Sequence, residues 1–490
     1  MSSRGVFFSQ ASTRREHRVS MAMFAEHRRK LCDQLLSDGL ACGVVLLQGG
    51  KPAIRHETDH EDVFRQESFF AYLFGVTEPG FYGTVDVATY QATLFAPKLP
   101  AEYAVWMGPI KTAKELSDKY GVNVRWTEEL PIALTGAAVV HLLCGLNSDS
   151  GATSAPASFD GLDTLDVELD KSARLYNALS SCRSVKTAAE VELLRFVCRV
   201  SSDAHVAVMR TARAGMREYE LEALFQFECY IRGGCRLQGY TCICATGPRS
   251  AILHYGHAGA PNDQELQPGA LALMDMGAEF ACYGADITCT FPVDGHFSAD
   301  QVLVYNAVLA AQHAVFACLR PGVQWVDMHR LAERTILQCL TQGGLLRGSV
   351  DEQHAAHLGA VFMPHGLGHL LGIDTHDVGG YPPGTQRLQE PGICKLRMNR
   401  ALEAGMVLTV EPGCYFISPL LDAAQRDAIQ STFLVPEVLK RFVAFGGVRL
   451  EDDVLITADG CENLTLCPRT TAEVEAVMAG GPWPQETRMR

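Results

Sequence analysis

The sequence lacks an apolar run long enough to cross a membrane as a helix. The longest candidate, GAAVVHLLCGL from Gly136, is interrupted by His141 and falls short of the roughly 20 residues that a bilayer requires. The sequence also lacks an excess of positive charge. Its 56 acidic and 42 basic residues give a formal net charge of −14, a field that repels nucleic acid and anionic lipid. We expect a soluble protein that binds neither nucleic acid nor membrane.

Paired cysteine motifs are missing as well. The chain has 17 cysteines, an odd number, and no two of them are spaced as Cys-x-x-Cys. Most stand in apolar contexts such as TCICATG and FVCRV. This pattern predicts free buried thiols in a reducing compartment rather than a disulfide framework, and therefore a cytoplasmic protein.

The remaining composition is that of a globular protein. Of 490 residues, 47% are hydrophobic and 20% are charged, which predicts two or three domains with substantial cores. Residues 1–20 are rich in Ser and Arg, and Glu16 is their one acid. We expect a flexible N-terminal tail there, although this composition is also compatible with a transit peptide.

Turn residues and apolar periodicity divide the rest of the chain into two domains. Residues 21–182 combine short strands between Val44 and Ala96 with helices, which predicts an α/β domain. A Thr-x-x-Glu capping box at Thr187 and Glu190 then marks a helix start. Residues 183–480 read as an α+β domain, followed by a tail at 481–490. The expected helices are 24–38, 112–120, 187–213, 217–232, 299–320 and 325–343, and the strand-like regions are 238–293 and 404–458.

Carboxylates interrupt several apolar strands of the second domain. Asp275 and Asp286 stand 11 positions apart in LALMDMGAEFACYGADITCTFPV, and a hairpin turning near 281–284 would bring them to one end of a sheet. Glu411 ends the strand of GMVLTVEPGCYF. Each carboxylate alone fits a bond to a turn or an arginine. Together they would cost several kcal/mol each to bury without a cation.

A third acidic site lies in FGGVRLEDDVLIT. An alternating strand there would place Arg449, Glu451 and Asp453 on one face, opposite Val448 and Leu450. Four carboxylates on apolar strands, together with a cluster of histidines, form the ligand set that a divalent metal site with mostly oxygen ligands requires.

The histidines come from FMPHGLGHLLGIDTHDVGG, residues 362–380. His365 and His369 have the spacing of a helical zinc site, but position 366 is Gly rather than the Glu of His-Glu-x-x-His. Gly366 and Gly368 also disfavour a helix, so a loop or strand is expected and the two rings need not share one metal.

These motifs resemble the pita-bread metallopeptidases, and within them the branch that hydrolyses Xaa-Pro dipeptides. The resemblance covers nearly the whole chain. It rests on FRQESFFAYLFGVTEPGFYG, YTCICATG, LHYGHAGAPND, DMGAEFACYGADITCTFP, MPHGLGHLLGIDTHDVGGYP, VLTVEPGCYF and FGGVRLEDDV. It implies an α/β N-terminal domain followed by an α+β pita-bread catalytic domain.

The resemblance also implies a centre of two divalent ions, which we expect to be Mn²⁺. Asp286 and Glu451 would bridge the ions, and four carboxylates would balance their charge. A hydroxide bridging the two metals would attack the imide bond of Xaa-Pro or Xaa-hydroxyproline and release the C-terminal imino acid in peptide and collagen turnover. The implied ligands are Asp275, Asp286, His369, Glu411 and Glu451.

Further roles follow from the same resemblance. Glu411 would also carry a proton to the leaving nitrogen, and Arg397 would pair with the free carboxylate of the dipeptide. Trp106 would reach the partner subunit in a homodimer, whereas Asp374 and Asp377 have no ligand position and are expected to shape the loop or bond to ligands. The catalytic histidines, expected to stabilise the tetrahedral oxyanion or grip the substrate, are His254, His365 and His376. Tyr240 and Arg449 are expected to bind the substrate near them.

Two alternatives remain. A sister aminopeptidase would remove the residue before proline from longer peptides, and Arg397 is the feature that argues against it. A non-catalytic pita-bread scaffold would bind other proteins, but such scaffolds lose metal ligands, and all five are present here.

Overall fold

The computed structural model describes residues 15–483. The tails expected at 1–20 and 481–490 therefore lie largely outside the described residues. The chain divides into two compact units. The N-terminal unit comprises Val19–Glu190 with His376–Thr385, and the C-terminal unit holds described residues 15–18, Val191–Thr375 and 386–483. The domain boundary at residue 182 stays a prediction.

The N-terminal unit is built on one mixed sheet in the order β4-β3-β2-β1-β5-β6. Strands β1, β2 and β3 pair antiparallel, whereas β5 pairs parallel with β1, β4 with β3 and β6 with β5. Its strands are β1 Val44–Gln48, β2 Tyr82–Asp86, β3 Ala92–Ala96, β4 Asn123–Trp126, β5 Val139–Leu142 and β6 Glu168–Asp170; its helices are α1 Met21–Ser37, α2 Ser68–Phe74, α3 Tyr103–Met107, α4 Ala113–Tyr120, α5 Leu130–Leu134 and α6 Arg174–Ser184.

The apolar runs of the sequence form the core of this unit. Leu46 of β1 packs with Phe95 of β3 and Val140 of β5, and all three side chains are fully buried. The helices expected at 24–38 and 112–120 are confirmed as α1 and α4.

The C-terminal unit combines long helices with several small sheets. Helix α7 starts at Ala188, at the end of the N-terminal unit, and the expected capping box is confirmed by reciprocal bonds between Thr187 and Glu190. The helices are α7 Ala188–Thr211, α8 Glu218–Gly233, α9 Ala299–Phe316, α10 Trp325–Gln342, α11 Val350–Ala355, α12 Gly359–Phe362, α13 Ser418–Arg426, α14 Pro436–Leu439 and α15 Thr471–Met478.

The strands of this unit fall into four sheets among the described residues, in the orders β12-β9-β8, β13-β16-β17, β14-β15 and β11-β10-β7. They are β7 Leu237–Gln238, β8 Ile243–Thr246, β9 Leu271–Asp275, β10 Ala278–Phe280, β11 Tyr283–Gly284, β12 Thr288–Pro292, β13 Val407–Val410, β14 Gly413–Tyr415, β15 Gly447–Arg449, β16 Asp452–Ile456 and β17 Cys461–Asn463.

The expected hairpin between Asp275 and Asp286 is confirmed. Strands β10 and β11 turn at Ala281 and Cys282, whose φ angles are 51° and 70°. Farther from the turn, β9 pairs with β12 so that Asp275 lies opposite Thr288. The two aspartates therefore reach the same end of the sheet.

Two local expectations were wrong. Residues 404–458 are not strands throughout, because α13 and α14 intervene and each has a proline in its first turn, where its missing N–H is tolerated. Residues 447–456 are also not one continuous strand. Arg449 ends β15 and Asp453 lies in β16, in different sheets, while Glu451 forms an isolated bridge with Thr288.

A buried ion triad anchors the segment His376–Thr385 in the N-terminal unit. The Asp377 carboxylate accepts from Arg183 Nη2 at 2.5 Å and from Lys186 Nζ at 3.1 Å. All three side chains are about 1% exposed. Asp377 thus serves loop geometry, as the sequence suggested, and its charge is balanced by two cations.

Replacing Asp377 with Ala should destabilise the N-terminal unit. The change removes the carboxylate that two buried cations share, a loss of about 3–5 kcal/mol. Differential scanning calorimetry should show unfolding shifted to lower temperature. Asp118→Ala, which breaks an exposed pair with Lys114 on α4, is the control and should melt as wild type. Unchanged melting of Asp377→Ala would contradict this account of the triad.

Candidate metal centre

The acidic side chains of the candidate metal site lie at strand ends, and its imidazole lies in an extended loop. Asp275 ends β9, Asp286 precedes β12 and Glu411 follows β13. Residues 367–371 run beside β13, with Leu370 bridged to Leu408. This strand-like contact brings His369 next to Glu411.

A glycine allows His369 to approach β13. The His369 N–H donates to Thr409 Oγ1 at 3.1 Å, and the Thr409 N–H donates to the His369 carbonyl at 2.9 Å. A Cβ atom on Gly368 would lie 2.1 Å from the Thr409 carbonyl oxygen, so a larger residue would push the loop away. The expectation that PHGLGH is not helical is confirmed, since α12 ends at Phe362.

The side chains at these positions converge. Ligand atoms of Asp286, His369 and Glu451 all lie within 4.8 Å of one another. His369 Nε2 is 3.3 Å from Asp286 Oδ2 and 3.5 Å from Glu411 Oε1. Asp275 joins the cluster, since it lies close enough to Asp286, Glu411 and Glu451 for its charge to raise their pKa values. The five residues named from the sequence thus lie in one connected cluster.

The electrostatics of this cluster call for a cation. Burial, and then the charge of Asp275, raises the pKa of Asp286 well above its ordinary value. Burial and the neighbouring acids Asp286 and Glu411 do the same for Glu451. Burial raises the pKa of Glu411 to about 7, with Asp286 adding to the effect. Carboxylates whose pKa values are raised by burial and by neighbouring acids fit divalent ions, which favour oxygen ligands.

A hydrogen-bonded chain runs from the cluster to His365 through Tyr415. His365 Nδ1 donates to the Gly366 carbonyl at 2.7 Å, so its Nε2 accepts from the Tyr415 hydroxyl at 3.0 Å. That hydroxyl oxygen accepts from Arg449 Nη1 at 2.9 Å. Burial, and then the charge of Arg449, lowers the pKa of His365 to about 3. His365 is therefore neutral at pH 7, in a tautomer set by its partners.

Arg449 and Tyr240 hold the carboxylate of Asp275. Arg449 Nη2 donates to Asp275 Oδ2 and the Tyr240 hydroxyl donates to Oδ1, both at 2.5 Å. Arg449 Nε donates to Thr288 Oγ1 at 3.0 Å. Burial and the charge of Asp275 raise the pKa of Tyr240 well above its ordinary value, so it remains a donor. These bonds fix the orientation of Asp275.

The remaining predicted residues lie in different places. His254 is exposed in a turn after β8, and Arg397 is half-buried in the loop before β13. Burial, followed by the charges of Arg397 and Arg449, lowers the pKa of His254. Trp106 belongs to the N-terminal unit, where it is 83% exposed on α3, and exposed His376 lies in the segment assigned to that same unit.

Sequence reasoning assigned no specific role to several polar residues behind the cluster. Thr288 Oγ1 donates to Glu451 Oε2 at 2.6 Å, and Asp453 accepts from the Asp286 N–H at 3.1 Å. The side chains of Arg469 and Tyr415 are buried, as are those of Thr288 and Asp453. The sequence did indicate Asp453, because it lies two residues after Glu451 in an apolar stretch. The others look like ordinary strand or loop residues in the sequence.

Two family models match the chain. One described as metallopeptidase family M24 matches residues 192–458, and one described as the aminopeptidase P N-terminal domain matches residues 24–140. These matches bear out the expected fold class, an α/β domain followed by a pita-bread catalytic domain. Within the described residues 15–483, no helix combines the length and apolarity needed to cross a membrane.

Full-length relatives are similar across both units. Xaa-Pro dipeptidase of Homo sapiens is 52% identical over 468 residues, which is 94% of each chain. A probable Xaa-Pro aminopeptidase of Verticillium alfalfae is 37% identical over 92% of this chain and 95% of its own.

Solved structures show the same fold. The Pseudomonas aeruginosa aminopeptidase PepP superposes with a TM-score of 0.75 at 32% identity, covering 94% of this chain and 99% of its own. Zinc-substituted Escherichia coli aminopeptidase P in complex with product superposes at 0.76 and 28% identity, covering 96% of this chain and 100% of its own.

The metal-free protein should lose stability as the pH rises. Glu411 has a folded-state pKa of about 7, above its unfolded value, so the folded state binds more protons between about pH 4.5 and 7 and its free energy of unfolding falls across that window. With chelator present, we expect a melting temperature about 1–2 °C lower at pH 8 than at pH 6.

Divalent ions should remove this slope, because they replace the protons. Calorimetry of metal-loaded protein at the same two pH values provides the comparison. A chelated protein that is equally or more stable at pH 8 would contradict the raised pKa values.

Proposed function

The chain belongs to metallopeptidase family M24, and from this membership we propose that it is an Xaa-Pro dipeptidase that hydrolyses the imide bond before a C-terminal proline or hydroxyproline. The observation that carries the proposal is the buried cluster of Asp286, His369 and Glu451, which lies in a chain similar along almost its whole length to a human Xaa-Pro dipeptidase.

We assign the metal ligands to Asp275, Asp286, His369, Glu411 and Glu451. Four carboxylates balance the charge of two divalent ions, and the oxygen-rich donor set favours Mn²⁺. When bound, such ions supply Lewis acidity toward the scissile carbonyl and activate water for attack. The connected positions of the five side chains and the raised pKa values of three of them support this assignment.

Glu411 is suited to moving the proton that the reaction requires. Its Oε1 atom lies 3.5 Å from His369 Nε2 in the cluster, and its second carboxylate oxygen can accept a proton and return it. Its Oε2 atom is 3.7 Å from His365 Nδ1. The leaving imide nitrogen must be protonated to depart, and Glu411 would deliver that proton.

Arg397 would limit the substrate to dipeptides. A guanidinium can grip the free carboxylate of a C-terminal proline with two parallel hydrogen bonds, which an internal proline cannot provide. The charge of Arg397 reaches His254, whose pKa it helps to lower. We keep His254, His365 and Tyr240 as groups around the substrate, and His376 and Trp106 as predictions. A cytoplasmic homodimer and a role in collagen peptide turnover are also proposed.

Gly-Pro hydrolysis should depend on a divalent ion and on Asp286. Wild type should cleave Gly-Pro after Mn²⁺ loading and lose turnover after exhaustive chelation. Because loss of groups that merely support metal ligands costs 10–100-fold, Asp286→Asn should lower kcat/KM by at least about 100-fold. Asp459→Asn, at an exposed turn of the same unit, is the control. Full turnover in chelated wild type would refute the metallopeptidase mechanism.

Arg397→Ala should separate the dipeptidase from its nearest rival. We expect kcat/KM for Gly-Pro to fall about 10–150-fold, the effect of one charge-assisted contact, mainly through KM. Wild type should cleave Gly-Pro-Gly poorly. Arg441→Ala, which removes an exposed pair with Asp300, should change neither rate. Efficient tripeptide cleavage that is unaffected by Arg397→Ala would favour an aminopeptidase.

A further inference from the structure

A buried arginine outside the proposed ligand set connects the backbones behind two of the ligands. Arg469 precedes α15 and is 4% exposed. Its Nη1 donates to the Thr288 carbonyl at 2.9 Å, and its Nη2 donates to the Glu451 carbonyl at 2.6 Å. Nη1 also lies 3.4 Å from the sulfur of Cys289. One guanidinium therefore spans the start of β12 and the residue before β16.

The charge of Arg469 is neutralised away from the cluster. Its Nε donates to Asp452 Oδ1 at 2.8 Å, and Nη2 contacts the same carboxylate. Asn463 donates to the other oxygen, Asp452 Oδ2, at 2.7 Å. Because its charge is paired with Asp452, Arg469 can fix backbone positions without competing with cations for Asp286 or Glu451.

The backbone at Glu451 needs such a contact. Strand β15 ends at Arg449 and β16 starts at Asp452, so Glu451 lies in a gap between two ladders. Its N–H donates to the Thr288 carbonyl at 3.2 Å, the same oxygen that accepts from Arg469. Thr288 is two positions after Asp286 in the sequence. The relative position of Asp286 and Glu451 therefore depends on contacts made at the Thr288 carbonyl.

We propose that Arg469 is a positioning residue for the metal centre. It sets the spacing between the backbone segments that carry Asp286 and Glu451, two of the carboxylates that would hold the ions. This inference rests on the proposed function. It assigns to Arg469 a role in holding a pair of ions together, distinct from a general contribution to folding. The guanidinium acts through the ligands and touches neither substrate nor ion.

Arg469→Lys is the variant that tests this role. Lysine keeps the charge, but one ammonium group cannot reproduce the fork that reaches Asp452 and both carbonyls. Isothermal titration calorimetry with Mn²⁺ should show two ions bound by wild type. It should show at least about 10-fold weaker binding of one ion by the variant, as expected for a group that orients metal ligands.

Electron paramagnetic resonance of the Mn²⁺-loaded proteins provides a readout that stability alone would not change. Wild type should give the spectrum of a coupled pair, whereas Arg469→Lys at the same Mn²⁺ concentration should give mainly uncoupled Mn²⁺. Excess Mn²⁺ should restore the coupled spectrum. Arg195→Lys, whose partners Glu462 and Glu192 lie at the surface, is the matched control and should behave as wild type.

Asp452→Asn covers the case in which Arg469→Lys does not fold, because it loosens the guanidinium without removing it. The same weaker binding of one ion is expected. A variant that melts at lower temperature but binds two ions with wild-type affinity and a coupled spectrum would overturn the positioning role. Failure of wild type itself to bind Mn²⁺ would instead refute the proposed function.

Discussion

The fold buries several carboxylates close together, and the structure depends on positive charge that offsets them. Asp275, Asp286 and Glu451 are all less than 10% exposed, and burial together with mutual repulsion raises the pKa of Asp286 and Glu451 well above the ordinary range. A variant with apolar side chains in place of these three acids would avoid the cost of burying them. A chain that keeps these acids in apolar strands therefore depends on positive charge to offset them, and the divalent ions that we propose would supply it.

The fold supports this arrangement with layers of partners that differ in role. Strand ends present the carboxylates, and a glycine brings the His369 loop against β13. Arg449 and Tyr240 orient Asp275, and Tyr415 links Arg449 to a neutral His365. Farther out, Asp453 accepts a hydrogen bond from the Asp286 N–H, and Arg469 donates one to the Glu451 carbonyl. Each outer contact restricts a backbone or ring position that the inner side chains need.

Much of this organisation could be read from the sequence. Charged residues in apolar strands and a turn between Asp275 and Asp286 predicted where carboxylates would meet, and the Thr187–Glu190 box predicted the start of α7. The family resemblance supplied the five-residue set and the fold class. Other features could not be read. The break in the strand at Glu451 depends on pairing with Thr288, and the buried roles of Arg469 and Tyr415 depend on contacts between segments distant in the sequence. Helices α13 and α14 were missed because apolar content was taken for strand despite Pro419 and Pro436.

Anomalous diffraction at the manganese edge, from crystals of the Mn²⁺-loaded protein, tests the central claim most directly. The account predicts two anomalous peaks per chain, both in contact with the carboxylates of Asp286 and Glu451, with His369 bound to one of them. A single peak at this place would contradict the bridged pair. Ordered, metal-loaded crystals with no peak among these side chains would contradict the claim that cations compensate the buried charge.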